Sequence, residues 1–376
     1  MQPTLVRTRH LAALDGLRAV AILLVVVLHV AGATGTLSSD ALLWRMAANG
    51  GVGVTIFFVL SGFLLYRPFA RAALDGSPPP SVRRYLRRRA LRILPAYWLM
   101  LAFTLLVFTE NRPHAGSART WLEFLTLTHP YDPGKWWQGL GPRGLGPMWS
   151  LSVEASFYLL LPVLARLLHR WARGSAARLL AGIAVLGALS LAEAIAVRCG
   201  GNIDLLFANE QLLPRSLVIF AAGMALAVLA ERPTALSEAA GAAPGIGWVV
   251  ALCLLALVST PLATPGYGPQ NAAQYVVTIV LYPLIALALV APAALAPAHP
   301  LTTGLLANGP LVQLGLVSYG VFLWHSPVIE SWYALTGRPA YAGDFWLLLL
   351  VVLAVSLVIA SLSHTFVEEP AQRLGR

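Results

Sequence analysis

The stretch LDGLRAVAILLVVVLHV, Leu14 to Val30, is hydrocarbon along most of its length, with Arg18 near its start and His29 deep inside it. A run this apolar approaches the ~20 residues a helix needs to cross a bilayer. Eleven residues at 100° each make three turns plus about 20°, so Arg18 and His29 share one helix face, roughly 16 Å apart along the axis. An ionisable ring at mid-membrane is costly and marks a functional position by default. The same ring, kept neutral, could also act as a hydrogen-bonding group between helices.

Composition points the same way. The chain has 376 residues, 58% of them hydrophobic and 11% charged, whereas a soluble domain carries roughly 25% charged residues. That excludes a water-soluble domain built around one core. The net charge of +10 is arginine charge, since Lys135 is the only lysine. No nucleic-acid partner is expected from it. Cys199 and Cys253 have neither metal-ligand nor redox spacing and read as small apolar fillers. The first segment, with AGA at Ala31 to Ala33, imitates a secretory leader, but the apolar spans that follow make a removable one unnecessary.

The expected fold is all-α: a polytopic membrane bundle of about ten transmembrane helices in one domain, 1–376. The spans are expected near 19–34, 52–69, 92–109, 149–168, 179–197, 212–230, 246–262, 273–293, 311–333 and 345–366. The span at 246–262 is the weakest, because PGIG and STPLATPG crowd it. Arginines gather before the first span (Arg7, Arg9, Arg18), between the second and third (Arg67 to Arg92), and after the fourth (Arg166 to Arg178). Positive loops stay in the cytoplasm, so both termini are expected there. The location expected is the inner cell membrane, with lipid as a surrounding partner. Oligomeric state is not fixed by the sequence.

Four further segments place polar groups in these spans. In WSLSVEASFYLLLP, Trp149 suits the outer interface and Glu154 lies roughly 7 Å deeper. Glu154 and His29 reach comparable depths, so a His–carboxylate pair that raises imidazole basicity is geometrically open. A protonated or backbone-bonded Glu154 is the alternative. In FFVLSGFLLYRPF, Ser61 also reaches mid-membrane, as a nucleophile or as a packing hydroxyl, and Gly62 permits close approach of a helix or ligand. In RRYLRRRALRILPAYW, the arginines anchor the third helix, but Arg89 and Arg92, at i and i+3, could also clamp phosphate. In SYGVFLWHSPVIESWY, His325, Pro327 and Glu330 suggest a broken helix beside a polar cavity. His325 could bind an acceptor or only join helices. His364, before VEEP, reads as an interfacial cap. HExxH, GxSxG, P-loop and GxGxxG patterns are absent, and the scattered histidines give no metal site.

Five of these segments, in this order, resemble the motifs of the membrane acyltransferase family 3: LDGLRAVAILLVVVLH with its Arg-(ten residues)-His spacing, GVGVTIFFVLSGFLL, RRRALRILPAYW, WSLSVEASFYLLLP and SYGVFLWHSPV. The similarity runs from Leu14 to Pro370. It implies a ten-helix O-acyltransferase whose acyl-CoA donor, commonly acetyl-CoA, enters from the cytosol. Arg18 and His29 match the residues essential to transfer, Arg89 and Arg92 the Arg-x-x-Arg pair held to grip the donor's phosphates, and Glu154 the acidic position of the fourth motif. Some members carry a fused SGNH-type esterase domain, and none is expected here.

The resulting expectation is an O-acyltransferase that moves an acyl group, most simply acetyl, from acyl-CoA to a hydroxyl of a glycan, lipid-linked sugar or natural product. His29, Arg18 and Glu154 are the candidate catalytic residues, with His29 as general base. Arg89, Arg92 and Ser61 are the candidates for holding the donor, and His325 and Trp149 for the acceptor. A proton-coupled transporter would use similar intramembrane residues. A non-catalytic subunit of a glycan-assembly complex would tolerate replacement of His29.

Overall fold

The computed structural model describes residues 3–108, 118–132, 142–201, 208–264 and 270–375, with side chains from Ala12 onward except Leu236. Arg7 and Arg9 therefore contribute no side-chain observation, and much of the loop expected over 110–147 lies outside the described residues. What is described is helical. Ten apolar helices follow in chain order: α1 (Pro3–Ala33), α2 (Val52–Asp75), α3 (Val82–Val107), α4 (Met148–Ala172), α5 (Ala176–Cys199), α6 (Leu213–Glu231), α7 (Pro244–Val258), α8 (Ala272–Leu295), α9 (Gly309–Thr336) and α10 (Phe345–Ser363).

Among the described residues, nine helical stretches are long and apolar enough to cross a bilayer. The tenth, α7, has 15 residues, a rise of about 22 Å against a hydrocarbon core of about 30 Å. It stops at Val258, where the Ser259 N–H turns back onto the carbonyls of Leu255 and Ala256. The chain is thus an all-α, multi-pass integral membrane protein, as its composition requires.

Side-chain caps mark where several helices begin. Ser81 accepts from the Arg84 N–H at the start of α3, and Ser175 from Arg178 at the start of α5. Asn271 and Gln274 form a reciprocal capping box at α8. Asn308 and Asp344 cap α9 and α10. Each satisfies an N–H that a helix start leaves unpaired. Inside the helices, Pro68, Pro95, Pro162, Pro283, Pro292 and Pro327 are all passed without a break. The break expected near Pro327 is absent: α9 runs continuously from Gly309 to Thr336. Neighbouring groups in a membrane bundle re-satisfy the carbonyl that proline leaves free.

Helices α2, α6 and α9 are mostly buried in the bundle, whereas α5 and α10 are peripheral. Peripheral faces show Leu159, Leu167, Val185, Leu189, Leu350 and Val358 outward, as lipid requires. Cys199 and Cys253 are free and exposed. They are not core fillers, because a thiol is apolar enough to stand on a membrane protein's outer face. The chain end sits beside the start of α3: Arg87 donates to the Leu374 carbonyl at 2.7 Å and Arg88 to Gly375 at 3.3 Å. Arg67 and Arg71, near the end of α2, both pair with Glu231 at the end of α6. The basic cluster and the C-terminal segment therefore share one end of the bundle.

Helix α2 crosses α6 closely, backbone against backbone. A Cβ built on Gly62 would stand 2.3 Å from the Phe220 carbonyl oxygen, and one on Gly223 would stand 2.1 Å from that of Val59. Both contacts are with backbone, so nothing can swing aside. Gly62 thus serves the close helix approach its sequence context suggested. Gly223→Leu is expected to lower the thermal unfolding midpoint in detergent, at the upper end of the about 1–3 kcal/mol typical of overpacking. A midpoint equal to that of the unsubstituted chain would show that this crossing is not so tight.

Candidate active site

Two cavities lie inside the bundle. The first, about 370 Å³, is lined by Asp15 and Arg18 of α1, Ser61 of α2, Arg89 and Arg92 of α3, Glu154 and Tyr158 of α4, and Ser318 and Tyr319 of α9. It holds three guanidiniums against two carboxylates. The second, about 290 Å³, is lined by His29, Thr55, Trp149, Glu210, Gln211, Arg215, Thr278 and Tyr282 among others. Val54, Phe58, Ser150 and Phe322 line both and form the wall between them. Arg89 and Arg92 lie in the first half of α3, whereas Trp149 stands at the start of α4, one crossing later. The cavities therefore face opposite ends of the bundle.

In the arginine cavity, Arg18 pairs with Asp15 one turn earlier on the same helix. The i, i+3 spacing makes them neighbours. Arg89 and Arg92 are different. The Nε of Arg89 is buried with no hydrogen-bond partner among the described residues. They enter the cavity just after Arg87 and Arg88, whose donors go to the C-terminal carbonyls. The cluster is thus divided, with Arg87 and Arg88 holding the fold together and Arg89 and Arg92 lining a cavity. Guanidiniums in a low-dielectric cleft favour an oxyanion such as phosphate or carboxylate, which can accept two of their N–H groups at once.

Glu154 does not meet His29. Its Oε1 accepts from the Ser61 hydroxyl and from Tyr158 OH, the latter at 2.6 Å. The His–carboxylate pair left open by the sequence is therefore not formed. Depth alone brought the two residues level, but the azimuth of α4 turns Glu154 toward the arginines. Ser61 lies in the same cavity as Arg89 and Arg92.

His29 lines the second cavity rather than lipid. Its Nδ1 lies 2.8 Å from the Val25 carbonyl oxygen. A carbonyl only accepts, so Nδ1 carries the hydrogen and the neutral ring keeps its lone pair on Nε2. His325 packs against it, with ring centroids 4.9 Å apart. Its Nδ1 lies 2.7 Å from the Phe322 carbonyl oxygen and 3.2 Å from that of Val321, and its buried Nε2 has no partner among the described residues. His325 lines neither of these two cavities. Its observed contact is with the candidate base, not with space an acceptor could fill. Trp149 shares the His29 cavity. His364 lies in a π-turn, His364–Glu368, with its Nδ1 3.6 Å from Glu368.

Sequence reasoning missed Asp15, Tyr158 and Tyr319. The i, i+3 step to Arg18 and the i, i+4 step from Glu154 could have found the first two. Tyr319 donates to the Ile93 carbonyl at 2.8 Å, a contact between α9 and α3 that no local spacing encodes. Among the described residues no cluster of three or more His, Cys, Asp or Glu could hold a metal ion.

A family model described as an acyltransferase domain matches residues 11–364. "Putative peptidoglycan O-acetyltransferase YrhL" of Bacillus subtilis is 29% identical over 98% of this chain and 56% of its own length. "Nodulation protein 10" of Rhizobium leguminosarum bv. viciae is 25% identical over 86% of this chain and 82% of its own length. "O-acetyltransferase OatA" of Staphylococcus aureus is 24% identical over 98% of this chain and 58% of its own length. The chain thus spans little more than half the length of YrhL and OatA. No solved structure matches.

The hydrogen bonds on Glu154 give a test of the arginine cavity. Ser61→Ala and Glu154→Gln are expected to be non-additive in a double-mutant cycle on thermal unfolding, with a coupling of about 0.5–3 kcal/mol. Additive effects would mean the two side chains are not bonded.

Proposed function

The chain belongs to this family of acyltransferase domains, and from that premise we propose that it is a membrane O-acyltransferase that moves an acetyl group from acetyl-CoA to a hydroxyl of a glycan, a lipid-linked sugar or another secreted natural product. The observation that carries the reading is the pairing of two unlike cavities across one wall: three guanidiniums, with the Nε of Arg89 unpartnered among the described residues, on one side, and an imidazole with a free Nε2 lone pair on the other. A thioester on a polyphosphate carrier needs both.

The N- and C-termini lie in the cytoplasm on this reading, because the basic cluster and the chain end share one side and positive loops are retained there. The phosphates of the donor rest on Arg89 and Arg92, with Arg18 held nearby by Asp15. Ser61, fixed by Glu154, lies along the donor's route. The acceptor occupies the His29 cavity, with Trp149 available to the face of a sugar ring.

Chemistry then follows from the tautomer. Nε2 of His29 takes the proton from the acceptor hydroxyl as the oxygen attacks the thioester carbonyl. The new C–O bond forms, the C–S bond breaks, and the imidazolium proton passes to the departing thiolate. The products are an ester and free coenzyme A thiol. No covalent intermediate and no metal is needed for that balance. A general base is typically worth 10²- to 10⁴-fold in rate. His325 holds the ring from one side and leaves its acceptor nitrogen toward the cavity.

Two outcomes test this. Replacing His29 by Ala is expected to reduce ester-linked acetyl groups in the cell envelope or secreted products by at least about a hundredfold, as read by mass spectrometry of cells with and without the gene. Retained ester content would sink the base assignment, and altered solute uptake with unchanged esters would favour a transporter. Separately, Arg89→Ala with Arg92→Ala is expected to weaken binding of coenzyme A to the full chain in detergent by roughly ten- to hundredfold, the scale of lost charge-assisted hydrogen bonds. Equal affinity by calorimetry would leave those arginines with topology alone.

A further inference from the structure

The reading above puts the phosphate end of the donor and the base in different cavities, which raises the question of what crosses the wall between them. Among the described residues, four line both: Val54, Phe58, Ser150 and Phe322. Two of them are aromatic and both are nearly buried, Phe58 at 3% and Phe322 at 8% exposure.

Phe58 is pinned. Its ring stacks on Phe220 of α6 with centroids 4.6 Å apart and planes 22° apart. Phe220 stacks in turn on Phe157 of α4, at 4.0 Å and 17°. Phe157 and Phe220 are fully buried, so three rings from three helices form one column with no room to turn. The column stands beside the α2–α6 crossing, where Gly62 and Gly223 put each helix against the other's backbone. Phe58 therefore cannot retreat by a rotamer change without moving Phe220. Phe322 of α9 lines the same two cavities, its ring 5.9 Å from that of His325.

We propose that Phe58, backed by Phe220 and Phe157, together with Phe322, which lines the same two cavities, forms the constriction that sets acyl-chain length, admitting a two-carbon acyl group to His29 and excluding longer ones. The inference rests on the proposed acyl-CoA chemistry and deepens it by naming the acyl class and the residues that select it. A thioester carbonyl must reach Nε2 of His29, so the acyl carbons beyond it lie past the wall, in the cavity of about 290 Å³ that Phe58 and Phe322 also line and that the acceptor must share. An acetyl methyl needs almost no space there. Each further methylene must be accommodated against rings that are already packed, and well-packed aromatic surfaces resist added volume. One methylene in such a pocket discriminates by about 10- to 200-fold.

The test uses the full chain in lipid nanodiscs with envelope glycan extract as acceptor and acetyl-, butyryl- and hexanoyl-CoA as donors. Ester-linked acyl groups are read by mass spectrometry. The unsubstituted chain is expected to transfer acetyl at least tenfold better than butyryl. Phe58→Ala is expected to narrow that ratio by about tenfold or more, with gain on the longer donors rather than uniform loss. Phe322→Ala, outside the ring column, carries the same expectation if the Phe58 variant does not fold. Calorimetry with the same three donors and with free coenzyme A separates binding from transfer: affinity for free coenzyme A should move far less than the acetyl-to-butyryl transfer ratio. If both variants keep the parent ratio, the constriction is overturned while the acyltransferase reading stands. If the parent chain transfers no acyl group from any donor to extracts that other acyltransferases modify, both readings fall together.

Discussion

The close crossing of α2 on α6 governs the centre of this molecule. In lipid, helices gain nothing from hiding hydrocarbon, so association depends on packing and on how near two backbones can come. Gly62 and Gly223 remove the side chains that would hold α2 and α6 apart, and the approach they allow is to carbonyl oxygens. Three consequences follow. Phe58 is brought over Phe220, which fixes the ring column. Ser61, beside Gly62, is turned to the α4 carboxylate of Glu154. The wall and the floor of the arginine cavity are therefore set by the same contact, and the site inherits its rigidity from the fold rather than from loops.

Charge is handled by a second constraint. A cation buried in a low-dielectric interior must find a partner or draw one in. The arginines at this end of the bundle divide along that line. Arg67 and Arg71 share Glu231, Arg18 has Asp15, and Arg87 and Arg88 take backbone carbonyls of the C-terminal segment. Arg89 and Arg92 line the cavity instead, and the buried Nε of Arg89 has no acceptor among the described residues. Residues two positions apart in one basic run thus do different work, because the helix turns successive side chains by 100°.

That division explains what could and could not be read from the chain. Apolar runs define helices almost directly, since the bilayer forbids unpaired backbone. Only α7 falls short in length. Positions along a helix are also legible: the 1.5 Å rise put Arg18 and His29 at different depths, and they do line different cavities. Azimuth between helices is not legible. Glu154 and His29 were matched by depth, yet α4 presents the carboxylate to Ser61 and Tyr158. The expected break at Pro327 failed for a related reason, because a local rule about proline ignores neighbours that re-satisfy the backbone. The cysteines misled because "apolar" implies "inside" only where the outside is water.

The remaining step concerns why the histidine cavity and the arginine cavity should be separate at all. Were the three guanidiniums of the arginine cavity beside His29, their field would add to that of Arg215, which lines the histidine cavity together with Glu210, and would oppose protonation of the ring, which on the proposed mechanism must carry a positive charge as the hydroxyl attacks. A rise of roughly 16 Å between Arg18 and His29 removes most of that penalty. It also demands a donor whose charged end and reactive end are joined by a long uncharged arm, which is the chemistry of acyl-coenzyme A and not of a compact acyl phosphate. The side chain whose ring packs on His29 is a second imidazole, His325, and not a guanidinium. The anion site can then be strongly basic in character and the proton site weakly so, with four side chains between them setting what passes.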